Sequence, residues 1–239
     1  MSSRFFSESP PENGRIVLGR EEARHLHKVC RLGTGDTVQV FNGRGSAWQA
    51  EILESSANSA LLQTLSEPLV TREPTLSVSI ASAVPKGDRL DWLIEKATEL
   101  GAERFIPLST AYSVVDPRDS KLARLRRAVV ESCKQCRRDT LMTIEPVMSW
   151  QELMSAADGP LKLLADPDGR PPSDWPPIVS GRPVILAVGP EGGFSPAERS
   201  TALEREWQPI NLGVYILRME TAAIAGCASL FAREEHPRT

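Results

Sequence analysis

Two hydrophobic rhythms divide this chain. Up to about residue 70 the apolar positions recur at every second residue over short runs. In TVQVFNG, Val38 and Val40 alternate with Thr37 and Gln39, and Asn42-Gly43 is a strong tight-turn signal. The return segment SAWQAEIL alternates again through Trp48, Ala50 and Ile52, and ANSALLQTL supplies a further strand after an Asn58-Ser59 turn. Several short strands in so few residues predict a small barrel. Before them EEARHLHKVCRL reads as a helix.

Beyond SEPLVTREP, a linker with two prolines and mixed charge, the rhythm changes. LSVSIASAV, RFIPLST, LKLLAD and VILAV are apolar runs of strand length. Between the first two lies DRLDWLIEKATELG, with Leu90, Leu93, Ile94, Ala97 and Leu100 on one helical face and Gly101 as its stop. KLARLRRAVVESCKQC predicts another helix, with Leu122, Leu125, Val129, Cys133 and Cys136 along its apolar edge. Strands apolar on both faces, alternating with amphipathic helices, predict a parallel sheet covered on both sides. DPDGRPPSDWPP predicts a proline-rich surface loop.

Composition changes this picture little. The 239 residues are 41% hydrophobic, with no run approaching a membrane span and no apolar segment in MSSRFFSESP, so the expectation is a cytoplasmic protein with no membrane partner. Four scattered cysteines are too few for a disulfide framework. Cys133 and Cys136 have redox spacing but lack a second pair, and His25 and His27 do not share a helical face, so no metal is expected.

Charge adds more. The net charge is -3, yet eight Lys or Arg against two acids lie between Arg118 and Arg138. Five cations and two histidines lie between Arg15 and Arg31. A single such run is most simply a solvated helix face; two of them on an acidic chain point toward RNA or DNA.

The densest chemical signal is GPEGGFSPAE, Gly189 to Glu198, directly behind VILAV. Ser195-Pro196-Ala197-Glu198 forms a capping box, so the glycines lie between the C-terminal end of a strand and the start of a helix. Open α/β sheets bind ligands there. Neither a P-loop nor a dinucleotide turn has this spacing, no lysine follows, and Glu191 would repel a phosphate. A ligand recognised by main-chain hydrogen bonds, such as an adenosyl group, suits the turn; a purely structural turn is the other reading. A second stretch, NLGVYILRMETAAIAGCASLFA, has another glycine turn and then Arg218, Glu220 and Thr221 opening an alanine-rich helix. Its small side chains would let a ligand or another chain approach closely.

Taken together, GPEGGFSPAE and LGVYILRMETA resemble the RsmE type of 16S rRNA (uracil-N3)-methyltransferases, in the SPOUT superfamily. RFF (Arg4 to Phe6), HLHKVCRLGTGD, KGDRLDWLIEKATELG and ESCKQCRR extend the similarity along nearly the whole chain. The resemblance implies an N-terminal PUA-like β-barrel for RNA, over residues 1–70. It implies a C-terminal SPOUT α/β domain with a trefoil knot, over 74–236, a homodimer, and the small ribosomal subunit as substrate. Knot loops would hold S-adenosylmethionine, with Val188, Gly189, Pro190 and Gly192 on one wall. Asn211, Leu212 and Gly213, with Leu217, Arg218, Thr221 and Ala222, would form the other.

For the chemistry, Arg218 would steady the uracil anion or hold the target phosphate, and Glu191 and Glu220 are the candidate proton acceptors. Arg4, His25, Lys28, Arg31 and Arg138 would grip RNA. The chain departs from the family pattern at Tyr112, Lys134 and Tyr215, where the family commonly has Arg, Glu and Arg. The alternatives are a sister SPOUT enzyme acting on tRNA or another rRNA base, and a non-catalytic RNA-binding module.

Overall fold

A computed structural model describes residues 3–69, 73–114, 119–156, 159–179 and 181–233. Part of the expected linker, at 70–72, lies outside them, as do Arg118 of the basic cluster and the last residues of the expected 74–236 domain. The chain forms two compact units, Met1–Glu73 with Val130–Leu141, and Pro74–Val129 with Met142–Thr239.

The first unit holds β1 (Arg4–Phe6), β2 (Arg15–Leu18), α1 (Arg20–Arg24), β3 (Thr37–Phe41), β4 (Ala47–Ser55) and β5 (Ala60–Thr64). They form a five-stranded sheet in the order β1-β3-β4-β5-β2, parallel between β1 and β3 and antiparallel elsewhere. Alternation puts Val38, Val40, Trp48, Ala50 and Ile52 on one face. Phe5 from one edge strand and Ile16 and Leu18 from the other join that same cluster, so the sheet curls around a single core as a small barrel would. The expected helix EEARHLHKVCRL is α1 continued by a wider π turn over His25–Val29, where the Cys30 N–H reaches back to the His25 carbonyl.

The second unit is built on β6 (Val78–Ala83), α2 (Arg89–Leu100), β7 (Arg104–Ser109), β8 (Thr143–Ile144), β9 (Met148–Ser149), α4 (Trp150–Ala156), β10 (Leu161–Arg170), β11 (Val184–Val188), α5 (Pro196–Glu204), β12 (Gln208–Ile210) and α6 (Met219–Phe231). The intervening helix α3 (Asp119–Cys136) begins in this unit and ends in the first. The sheet runs β12-β10-β11-β6-β7-β8, with β9 also on β7, and every pairing is parallel.

The period-two pleat divides each central strand between two helical layers. Ile185 and Ala187 of β11 join a cluster with Trp150 of α4, Phe194 and Trp207, whereas Leu186 between them meets Gly226 of α6. A Cβ on Gly226 would sit 2.5 Å from Leu186 Cδ2, so this glycine lets α6 lie close on its own sheet. The small side chains of α6 therefore serve internal packing, at least along this face.

One expectation is corrected. Asp166 to Arg170, read as the start of a surface loop, continue β10, with Arg170 registered against Ile210 of β12 after an irregularity. Polar composition suggested a loop; an edge partner with free ladder groups extends the strand instead. Gly169 makes this possible, because a Cβ there would lie within 2.5–2.6 Å of the Pro209–Ile210 backbone.

Candidate active site

The site lies in the second unit, at the carboxyl ends of β10 and β11. β11 ends at Val188, and Pro190 to Gly193 close a tight turn in which the Gly193 N–H donates to the Pro190 carbonyl at 2.8 Å. Gly193 has φ +70°, which an L side chain rarely adopts. Gly189 is required for another reason: a Cβ would press to 3.2 Å on the Gly193 carbonyl carbon and the Phe194 ring. The capping box expected at Ser195 is present, with Ser195 N–H donating to Glu198 Oε2 at 2.8 Å and Glu198 N–H to Ser195 Oγ at 3.3 Å.

The second bend follows β12. Asn211 fastens it: its N–H donates to the Arg170 carbonyl, its Nδ2 to the Pro167 carbonyl, and its Oδ1 accepts from the Gly213 N–H. The last residues of β10 and the segment after β12 are thereby tied together opposite the glycine turn. Between them lies a cleft of about 250 Å³, walled by Val188 to Gly193, by Asn211 to Gly213 with Tyr215 to Leu217, and by Ala165 to Pro167, Met219 and Ala222. Backbone and aliphatic side chains make most of its surface. Asp166 and Glu191 contribute carboxylates; Asp166 is buried, accepts from the Asp168 N–H and pairs with Arg199 at 2.8 Å.

The two sequence-predicted bends are thus brought together. Val188, Gly189, Pro190, Gly192, Asn211, Leu212, Gly213, Leu217 and Ala222 all line the cleft, as does Glu191. Thr221 is exposed and outside the lining, and Arg218 is an exposed N-cap of α6. Glu220 is buried at 6% exposure, its Oε1 3.4 Å from Arg89 Nη1 and its Oε2 buried without a hydrogen-bond partner among the described residues. Sequence reasoning missed Asp166, although an acid at the carboxyl end of a buried parallel strand is a position where ligands bind. It also missed Arg89, which had been read only as part of a helix start.

A second cavity of about 230 Å³ adjoins the cleft and shares Pro190, Glu191 and Met219 with it. Ala83, Val84, Lys86, Arg89, Ser113 and Val114 complete its walls. Arg89 Nη1 stands 3.5 Å from Glu191 Oε1 as well as near Glu220.

In the first unit the expected RNA-binding residues separate into two groups. Lys28 and Arg31 are exposed. Arg4 is buried, paired with Asp139, and stacked 4.6 Å from the Phe41 ring centroid. Arg138 pairs with Glu73 at 3.3 Å with its side chain 9% exposed. His25 packs edge-on against Phe5, and its Nδ1 accepts from Lys134 Nζ at 3.2 Å.

Lys134 itself is half-buried, its side chain held between Glu22 at 2.8 Å and Glu131 at 3.0 Å. Burial works to lower its pKa, but the hydrogen bonds and charges of Glu22 and Glu131 outweigh this and hold it above its usual 10.5. Cys133 is buried, and burial, with the neighbouring Cys136 thiol, pushes it up to about 12. Among the described residues no group of three or more His, Cys, Asp or Glu is placed to hold a metal ion. Among them, too, no helix is long and apolar enough to cross a membrane.

An open parallel sheet with a main-chain-walled cleft at its strand ends, joined in one chain to a small curled sheet, is the architecture of an α/β RNA methyltransferase with a PUA-like domain. The RNA methyltransferase domain family matches residues 71–231, and the RNA methyltransferase PUA domain family matches 18–65. The chain is 33% identical to the ribosomal RNA small subunit methyltransferase E of Synechocystis, over 91% of this chain and 73% of that one. It is 30% identical to the protein of the same name from Bacillus subtilis, over 90% and 89%.

A Legionella pneumophila putative methyltransferase solved with bound S-adenosylmethionine superposes with a TM-score of 0.89 at 28% identity, covering 97% of this chain and 98% of that one. The Neisseria gonorrhoeae ribosomal RNA small subunit methyltransferase E bound to the same cofactor gives 0.87 at 26% identity, covering 96% and 97%. This chain belongs to the ribosomal RNA small subunit methyltransferase E family.

Proposed function

We propose that this protein methylates N3 of a uridine in 16S rRNA of the small ribosomal subunit, using S-adenosylmethionine. The observation that carries the reading is the cleft, whose walls suit an adenosyl donor. Its glycine and aliphatic lining leaves room for a flat adenine held by main-chain groups, and among the described residues no lysine or arginine lines it to receive a phosphate. When bound, that donor supplies a methyl group on a positively charged sulfur, open to in-line displacement by a nitrogen nucleophile.

The protein's part is positioning and proton removal. Glu191 lines the cleft and the adjoining cavity and is solvent-accessible, so it can take the N3 proton and pass it to water. Glu220, buried and turned to Arg89, is a holding group for that arginine. Arg218, exposed at the start of α6, is free to meet a target phosphate. Lys28 and Arg31 of the curled-sheet unit would grip flanking RNA backbone.

A homodimer is part of the same proposal. Val214, Tyr215 and Ile216 are 95%, 84% and 84% exposed in one loop on the rim of the cleft, an apolar run that a second copy would cover. The work of such an enzyme lies where ribosomes are assembled, in the cytoplasm. Two measurements test the reading: calorimetric binding of S-adenosylmethionine to the purified protein, and mass analysis of rRNA nucleosides from a strain lacking the gene. Loss of N3-methyluridine from 16S rRNA is the expected result; its persistence would defeat the assignment.

A further inference from the structure

In-line methyl transfer requires the acceptor nitrogen to approach the methyl from the side opposite the sulfur, so the acceptor's space must abut the donor's cleft. The 230 Å³ cavity that shares Pro190, Glu191 and Met219 with the cleft meets this condition. We propose that this cavity receives the uracil ring to be methylated, and that Arg89 donates hydrogen bonds to a ring carbonyl oxygen and steadies the charge that appears as N3 loses its proton. The inference rests on the methyltransferase reading given above and locates its acceptor site.

The walls fit a flat, neutral heterocycle with polar edges. Ala83, Val84, Val114 and Met219 are apolar and suit the faces of a ring. Lys86, Arg89, Ser113 and Glu191 bring polar groups to its edge. Arg89 is the first residue of α2 and stands where three elements meet. Its Nε reaches the Lys86 carbonyl at 3.4 Å, and its Nη1 stands 3.4 Å from Glu220 and 3.5 Å from Glu191. These contacts are long, and a guanidinium carries five N–H donors, so capacity is left for a ligand.

Glu220 supplies the independent sign that this arginine is held for a purpose. It is a buried carboxylate whose Oε2 has no hydrogen-bond partner among the described residues and whose Oε1 faces Arg89. A carboxylate at 6% exposure is costly to bury unless it fixes a cation, and the cation it fixes looks into the cavity.

The chemistry follows. As the N3 proton passes to Glu191, negative charge spreads onto the carbonyl oxygens on either side of N3. The electron pair left on N3 forms the new bond to carbon as the carbon–sulfur bond breaks. A guanidinium already aimed at one of those oxygens stabilises this charge in a partly water-excluded site. Where the oxygen it meets is O4, the same donor discriminates against cytosine, which presents an amino group there and would leave donor facing donor.

The test uses the purified full-length protein, tritiated S-adenosylmethionine, and small ribosomal subunits from a strain lacking this enzyme. Arg89→Gln is expected to bind the donor within about threefold of wild type while single-turnover transfer falls about a hundredfold. The pH at which transfer rises should move up by about one unit or more, because N3 is harder to deprotonate, and Arg89→Lys should recover part of the rate. Val114→Trp, at the exposed rim, narrows the cavity while leaving the Arg89 side chain in place and is expected to abolish transfer with donor binding intact.

Transfer by Arg89→Gln within about fivefold of wild type overturns the proposal. So does a loss with an unshifted pH profile and weakened donor binding, which would mark a structural role, or normal transfer by Val114→Trp. A wild-type protein that neither binds the donor nor methylates the subunits defeats the underlying methyltransferase reading instead.

Discussion

The Ala111 N–H donates to Glu198 Oε1 at 2.8 Å, while Glu198 Oε2 accepts from its own helix cap at Ser195. One buried carboxylate therefore closes the capping box of α5 and anchors the segment after β7. Tyr112 of that segment lies against Gly192, and Ser113 and Val114 line the cavity beside the cleft. A device legible in the sequence as a local helix start also positions a loop 87 residues earlier.

Glu198→Ala should therefore act at two places. The loss of both carboxylate contacts to backbone N–H groups, one of them half of the capping box, is expected to destabilise the protein by about 1–3 kcal/mol, read as a shift of the urea midpoint. Donor binding should weaken in the same variant, and Glu198→Gln should retain part of both.

At Gly169 the added methyl of Gly169→Ala has nowhere to go, because its neighbours are the backbone of β12. Overpacking against main chain should cost about 1–3 kcal/mol. Hydrogen exchange should show β12 and the Asn211–Gly213 bend opening first.

Gly189→Ala places a methyl at 3.2 Å from the Gly193 carbonyl carbon and the Phe194 ring, and the turn must shift to admit it. The global melting temperature is expected to change little. Calorimetry should show donor affinity reduced by about tenfold or more, since about 1.4 kcal/mol of misfit suffices.

Alkaline pH should destabilise the first unit through two groups. Cys133 stays protonated in the fold up to about 12, whereas the unfolded thiol ionises near 9.0, so stability falls as pH rises through that interval. Lys134, held above 10.5 by Glu22 and Glu131, contributes stability below that value and loses it as pH rises through its raised pKa. Urea midpoints from pH 8 upward should fall in the wild type, and Cys133→Ala should remove the decline that begins near 9.0. Iodoacetamide should leave Cys133 unlabelled in the folded protein while reaching Cys30 and Cys136.

Lys28→Ala, and separately Arg31→Ala, should weaken binding to small subunits and reduce the slope of log affinity against log salt by about one each. Donor binding should be unaffected. Arg4→Ala should instead lower stability, because the buried Asp139 carboxylate loses the cation that it faces.

Local order was readable from local pattern. Period-two runs marked β3 and β4, apolar runs of strand length marked β6 and β11, and Gly101, with φ +101°, ends α2 where its glycine signal stands. Ser195 to Glu198 cap α5 through neighbours in the chain. These features depend on residues a few positions apart, so spacing suffices to report them. Periodicity was silent where a partner from afar decides: β10 continues through Asp166 to Arg170 because β12 lies beside it, and residues 130–141 belong with the first unit although they continue a helix of the second. The trefoil threading implied by family likeness is a property of the whole chain path, which no local period records.

The same division holds at the site. The glycine turn, the capping box and the exclusion of a phosphate cradle were determined by the sequence itself, because backbone freedom and hydrogen-bond donors are properties of adjacent residues. Burial and charge pairing belong to the tertiary structure. Arg4 and Arg89 are both arginines near the start of a regular element, yet one is enclosed against Asp139 and Phe41 and the other faces a cavity between Glu191 and Glu220. Which cation is held inside and which is offered outward depends on groups more than a hundred residues away, and only packing brings them within reach.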